Sequence, residues 1–166
     1  MYFLRHGRDE AWETLVHRRS AKVSFSKRQL ATPGGLVDRS DCVNENWVMN
    51  KEHGFFNAMI REVSEETGID LNRVQHKIIG KENMNNKLFY IYKLENQIIN
   101  LEPEDNNEIE GIQWMDICEI ENFINNYDCN RSLRELNKRK TRIKKKLNKH
   151  INYYNPNQMM EIVGKV

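Results

Sequence analysis

The sequence predicts an α/β (α+β) sandwich, a mixed β-sheet flanked by helices. Three observations carry that expectation. Short runs rich in Val, Ile, Leu, Phe and Tyr are bounded by turn residues, as strands are. One helical stretch, ending at Gly68, sits among these runs. Two further helical stretches follow the last strand, and strands around a central helix with helices at the end suit a layered fold.

The elements follow in chain order. YFLRH and WETLVHRR read as strands joined by a turn at GRDEA, with His6 at a strand end. KVSFSKRQLA reads as a weaker extended segment running into the turn TPGGLVD. From Asn57 to Thr67 the spacing predicts a helix, with Phe56, Met59, Ile60 and Val63 covering one side. VQHKIIGK and KLFYIYKLE are strands separated by ENMNN, and IINLE and EIEGIQWMD are further strand candidates around EPEDNN. ICEIENFINNY is a short helix. A longer one runs from about Arg131 to Tyr153, where Leu133, Leu136, Ile143, Leu147 and Ile151 recur at helical spacing. Residues 1–128 are expected as one domain, and 129–166 as a basic amphipathic helix and tail packed on it.

With 166 residues, 39% of them apolar and 30% charged, the chain has the composition of a soluble globular domain. No run is long enough to cross a membrane, and Arg5 and His6 interrupt the start too early for a signal peptide. Cys42, Cys118 and Cys129 are scattered without metal-ligand spacing. They point to a reducing compartment, expected to be cytoplasmic. The net charge of +2 conceals a division. Between Arg131 and His150 stand ten Lys or Arg residues and one acid, Glu135, so this segment carries +9 and the remainder −7.

The stretch REVSEETGI, Arg61 to Ile69, places Glu62, Glu65 and Glu66 within an arc of about 100° on a helix. Like charges at that spacing repel. A solvated acidic face accommodates them, and so does a divalent cation, for which hard carboxylate oxygens suit Mg²⁺ or Mn²⁺.

Gly35, an acid, and then Arg-Glu-Val-x-Glu-Glu-x-Gly-Ile (Arg61, Glu62, Val63, Glu65, Glu66, Gly68, Ile69) resemble the signature of the Nudix hydrolases. The resemblance spans roughly residues 10 to 125, including EIEGIQWMD as the penultimate strand. The first half departs from the pattern: Asp41 stands where a Glu is usual, and nineteen residues separate it from Arg61 instead of seven. Residues 42–53 therefore read as an insertion before the catalytic helix, with Glu52 or His53 as alternative occupants of the upstream acid's place.

The resemblance implies Mg²⁺-dependent hydrolysis of a diphosphate linkage in a nucleotide or nucleotide derivative. Glu65 and Glu66 would be the main metal ligands, Glu62 would complete the set or orient a water, and the Gly35 carbonyl would add an oxygen. Arg61 would hold the carboxylates in place. The general base is sought in Glu62 or in the loop acids Glu102, Glu104, Asp105, Glu108 and Glu110, with Glu108 ranked first because it precedes the Trp114 strand. Arg18, Phe89 and Tyr90 are the candidate substrate contacts. The stretch from Arg18 to Asp41 is similar to the coenzyme A diphosphatase branch, with Asp38 and Asp41 as its acids. The basic helix 131–150 would instead suit RNA, hence decapping, or another polyanion. The rival from another class is a catalytically silent Nudix fold that binds a nucleotide or RNA. The Arg-His-Gly of FLRHG also resembles the phosphoglycerate-mutase-like phosphatases, but no second catalytic histidine supports it.

Overall fold

The computed structural model describes residues 2–6, 11–43, 51–84, 87–94, 100–103 and 107–151. The side chains of residues 51–52, 82–84, 87–90 and 150–151 lie outside that description. Six strands and three α-helices run in the order β1 (Tyr2–His6), β2 (Trp12–Arg19), β3 (Leu30–Ala31), α1 (Lys51–Thr67), β4 (His76–Met84), β5 (Lys87–Leu94), β6 (Ile109–Asp116), α2 (Ile120–Asn126) and α3 (Arg131–Ile151).

The strands form one mixed sheet. β1 pairs antiparallel with β2 and parallel with β5, and β5 pairs antiparallel with β4. β2 is the hub. β6 runs antiparallel along it from Glu13 to Arg19, which leaves its other edge to β1 near Trp12–Thr14 and to β3 at His17 and Arg18. β1 thus parts from β2 beyond Thr14, and the short β3 takes its place.

Period-two alternation divides the side chains between two faces. Tyr2, Leu4, Trp12, Val16, Ile91 and Met115 face α2 and α3, where they pack with Ile120, Leu133, Leu136, Ile143 and Leu147. Phe3, Leu15, Tyr92 and Leu94 face α1 and pack with Met59 and Val63. The observed fold is the sandwich the sequence predicts. The four apolar residues of α3 from Leu133 to Leu147 are fully buried, so the basic segment contributes an apolar stripe to the core. Asn130 caps this helix, its Oδ1 accepting the Ser132 N–H at 2.8 Å.

Three element boundaries are corrected. The helix expected at Asn57 begins at Lys51, so the last part of the 42–53 segment is helical and not loop. Gly54 lies inside it because the chain passes Cys42 there: a Cβ at Gly54 would overlap the Cys42 sulfur. The extended segment 22–31 contributes only Leu30–Ala31, because Ser26 and Arg28 adopt φ of 53° and 58° and turn the chain. β4 continues to Met84, through residues expected in the ENMNN turn. Residues 7–10 of the first turn, 44–50 of the insertion, 98 and 99 of the IINLE candidate and the tail 152–166 lie outside the described residues, and residues 100–102 are not strand. No helix among the described residues is long and apolar enough to cross a membrane.

Candidate active site

α1 stops where the sequence requires. Thr67 Oγ1 donates to the Val63 carbonyl, Gly68 turns at φ +73°, and its N–H donates to the Ser64 carbonyl at 2.8 Å. A Cβ at Gly68 would run into the Glu102 backbone, which closes over the helix end by donating its N–H to the Thr67 carbonyl at 3.1 Å.

One turn earlier the three glutamates descend a gradient of burial. The Glu65 side chain is 45% exposed, Glu62 15% and Glu66 5%. Gly34 and Gly35 lie against them. The Gly34 N–H donates to Glu66 Oε2 at 2.7 Å. At Gly35 a Cβ would overlap the Glu62 carboxylate, so a glycine here lets the backbone and that carboxylate lie in contact.

Arg61 organises the outer half. Its Nε and Nη2 donate to the two Asp41 oxygens at 3.2 and 3.0 Å. Nη1 donates to Glu62 and Glu65 at 3.2 and 3.1 Å, and Nη2 also reaches the Leu36 carbonyl at 3.1 Å. The guanidinium hydrogen bonds hold the Asp41 carboxyl below its ordinary range. Asp41 is buried and further pinned by the Asp38 N–H at 2.7 Å. The nineteen-residue spacing therefore does not separate Asp41 from the helix. Its role here is to anchor Arg61. His53 is exposed, and the Glu52 side chain lies outside the described residues.

The inner half is electrostatically different. Burial pushes the Glu66 carboxyl up to about 8, although the Gly34 N–H opposes the shift. Burial also raises Glu62, against Arg61, with the charges of Glu65 and Glu108 adding to the rise. His17 lies across from Glu66, Nδ1 to Oε2 at 3.6 Å, and burial lowers it to about 3. Neither of its ring nitrogens has a hydrogen-bond partner among the described residues. Each such buried atom costs about 1–3 kcal/mol.

These features test the site against a divalent cation. Two carboxyls that burial drives toward protonation are a donor set lacking positive charge, and a cation fits that lack. Among the described residues no three such side chains already converge as a ligand cluster. The Arg61 Nη1 stands between Glu62 and Glu65 and donates to both; these two carboxylates, with Glu66, are the residues that would hold a cation.

The other candidates fall as follows. Glu108 is close enough for its charge to act on Glu62. Glu110 is engaged elsewhere, accepting the Ala21 N–H at 2.9 Å and facing Arg18 at 3.8 Å. Glu104, Asp105 and the side chains of Phe89 and Tyr90 lie outside the described residues. Arg18 follows His17 and so projects from the other face of β2. There it lines a cleft of about 630 Å³ with Val16, Lys27, Arg28, Leu30 and Tyr127, and is not among the carboxylates. Two residues were missed in the sequence: His17, and Arg19, whose charge acts on both His17 and Glu66. The only available signal for them was strand alternation, which puts both on the Leu15 side.

A two-faced sandwich carrying an acidic cluster beside a glycine turn defines the class: an α/β fold with three glutamates gathered on one helix face. The NUDIX domain profile matches residues 3–135, and the chain belongs to the NUDIX family, whose reaction is hydrolysis of diphosphate bonds. No curated protein matches the sequence. Solved structures share the fold. A NUDIX hydrolase from Alicyclobacillus acidocaldarius is 16% identical, with 81% of this chain and 86% of that one covered at a TM-score of 0.59. The NUDIX domain of Shewanella oneidensis NrtR, complexed with ADP ribose, is 12% identical, with 85% and 82% covered at 0.54. An Ap4A hydrolase from C. elegans is 17% identical, with 92% and 95% covered at 0.52.

Proposed function

We propose that this chain is a Mg²⁺- or Mn²⁺-dependent hydrolase that cleaves a diphosphate linkage in a nucleotide or nucleotide derivative, with water as the nucleophile. The observation that carries the reading is the pair Glu62 and Glu66, carboxyls raised by burial on one face of α1 and roofed by Gly34 and Gly35. Glu62, Glu65, Glu66 and the Gly35 carbonyl would hold the cation. It would withdraw charge from the diphosphate oxygens and make water acidic enough to attack at neutral pH.

The chain's own residues do the rest. Arg61, locked by Asp41, keeps Glu62 and Glu65 aimed at the site. Glu108 takes the proton of the attacking water, and Glu62 is the alternative base. The charge of Glu108 on Glu62 supports placing both beside the reacting atoms. Arg18 is the proposed contact for a remote part of the substrate, in a cleft that Lys27 and Arg28 line together with Glu110 and Asp128. Phe89 and Tyr90 are the residues proposed to stack on the base. The cationic outer face of α3, whose inner stripe is occupied by the core, is proposed to meet RNA or another polyanion, and the free thiols suit a cytoplasmic location.

Phosphate release tests the reading. The panel is nucleoside triphosphates, ADP-ribose, NADH, dinucleoside polyphosphates, coenzyme A and capped RNA, with and without Mg²⁺. One compound is expected to turn over with metal, and Glu65→Gln or Glu66→Gln to abolish it. Binding without turnover across the panel would instead establish a silent binding module.

A further inference from the structure

His17 is 1% exposed, and both its ring nitrogens lack a hydrogen-bond partner among the described residues. Its Nδ1 lies 3.6 Å from Glu66 Oε2. That same oxygen accepts the Gly34 N–H at 2.7 Å. The convergence follows from β-register. His17 pairs with Ala31 in β3, and the chain leaving β3 reaches Gly34 three residues later. One strand pairing thus delivers an imidazole and an amide to the same side of one carboxyl group.

We infer that His17 is a positioning residue for Glu66: as a neutral imidazole protonated on Nδ1, it donates to Oε2 beside the Gly34 amide, so that Oε1 is the oxygen presented to the cation. This rests on the reading of Glu66 as a cation ligand. A carboxylate that gives one oxygen to a metal is oriented by donors on its other oxygen. The present separation is about 0.6 Å beyond a good N–H···O contact, a gap that a small rotation of the Glu66 carboxyl closes. A neutral imidazole has one N–H to donate, and the register places Nδ1 on the Glu66 side to do so.

Three substitutions test this by Mn²⁺ binding, read from the electron paramagnetic resonance of free Mn²⁺, and by the thermal midpoint of the metal-free protein. His17→Leu is expected to weaken Mn²⁺ binding about 10- to 100-fold, with a midpoint unchanged or higher because two unsatisfied atoms are removed. His17→Asn puts an amide nitrogen at the Nδ1 place and restores most of the affinity. His17→Gln, whose nitrogen falls at the Nε2 place, does not. Wild-type affinity in His17→Leu, or equal affinity in the Asn and Gln variants, would overturn the assignment and leave His17 as core packing. A wild-type protein that binds no Mn²⁺ refutes the cation reading itself, a result distinct from either.

Discussion

Arg61 and Asp41 form a two-point ion pair across twenty residues of sequence, guanidinium Nε and Nη2 to the two carboxylate oxygens at 3.2 and 3.0 Å. The pair ties the 3₁₀ turn Ser40–Cys42 to α1 and leaves Nη1 free to steady Glu62 and Glu65. Lysine cannot reproduce that fork. Asp41→Asn is expected to lower stability by about 2–3 kcal/mol, because it takes the buried carboxylate from Arg61, and Arg61→Lys by about 1–2 kcal/mol, because it keeps the charge but loses the fork. Turnover should fall at least tenfold in both, checked by chemical denaturation and steady-state assay. Since the Asp41 carboxyl is held low in the fold, this pair stabilises above the ordinary Asp range and is lost as pH falls through the folded value.

The buried carboxyl of Glu66 gives a dependence of the opposite sign. Its folded value of about 8 lies above the ordinary 4.5, so the fold binds the extra proton and stability declines as pH rises between the two. His17, lowered from 6.5 to about 3, makes the metal-free protein less stable as pH falls through that interval. The two effects oppose each other between about pH 4.5 and 6.5, and only Glu66 acts from 6.5 to 8. The thermal midpoint of the metal-free protein should therefore drop from pH 6.5 to 8. Glu66→Gln should flatten that drop, and saturating Mg²⁺ or Mn²⁺ should reverse it.

A side chain at Gly35 would overlap the Glu62 carboxylate. Gly35→Ala must push the Glu62 carboxylate aside, so turnover is expected to fall by more than tenfold while circular dichroism and the thermal midpoint change little. Gly34 is constrained differently: φ of 142° strains any other residue, and Gly34→Ala should cost stability as well.

The basic C-terminal helix belongs to the core on its inner side. Ile143 is fully buried among residues of β1, β2 and α2. Ile143→Ala is expected to destabilise the whole protein by about 2–4 kcal/mol in one cooperative transition, measured by urea denaturation. A separate, low-amplitude transition would show the helix to be an independent appendage.

The layers were legible because their signals are local. Alternation marked β1, β2, β5 and β6, a terminal glycine marked the end of α1, and the 3.6-residue stripe marked α3. The glutamates were legible because their chemistry is written in consecutive positions. What escaped depends on contacts distant in sequence. Gly54 argued against helix on propensity, yet it is helical because Cys42 packs against its Cα. Residues 22–28 have strand composition, but two left-handed residues turn them aside. Arg18 is a candidate substrate contact by sequence, and only the pleat of β2 shows it facing away from Glu66. His17 and Arg19 entered the site through the same pleat and the pairing with β3, neither of which a motif records.

The central claim is that a divalent cation balances Glu62, Glu65 and Glu66. Calorimetric titration of Mg²⁺ and Mn²⁺ into the wild-type protein and into the double variant Glu65→Gln/Glu66→Gln tests it most directly. One saturable site in the wild type, tightening as pH approaches 8 and absent from the variant, is the predicted result. Equal binding by the two proteins, or none by either, would contradict it and return the three carboxylates to a solvated acidic face.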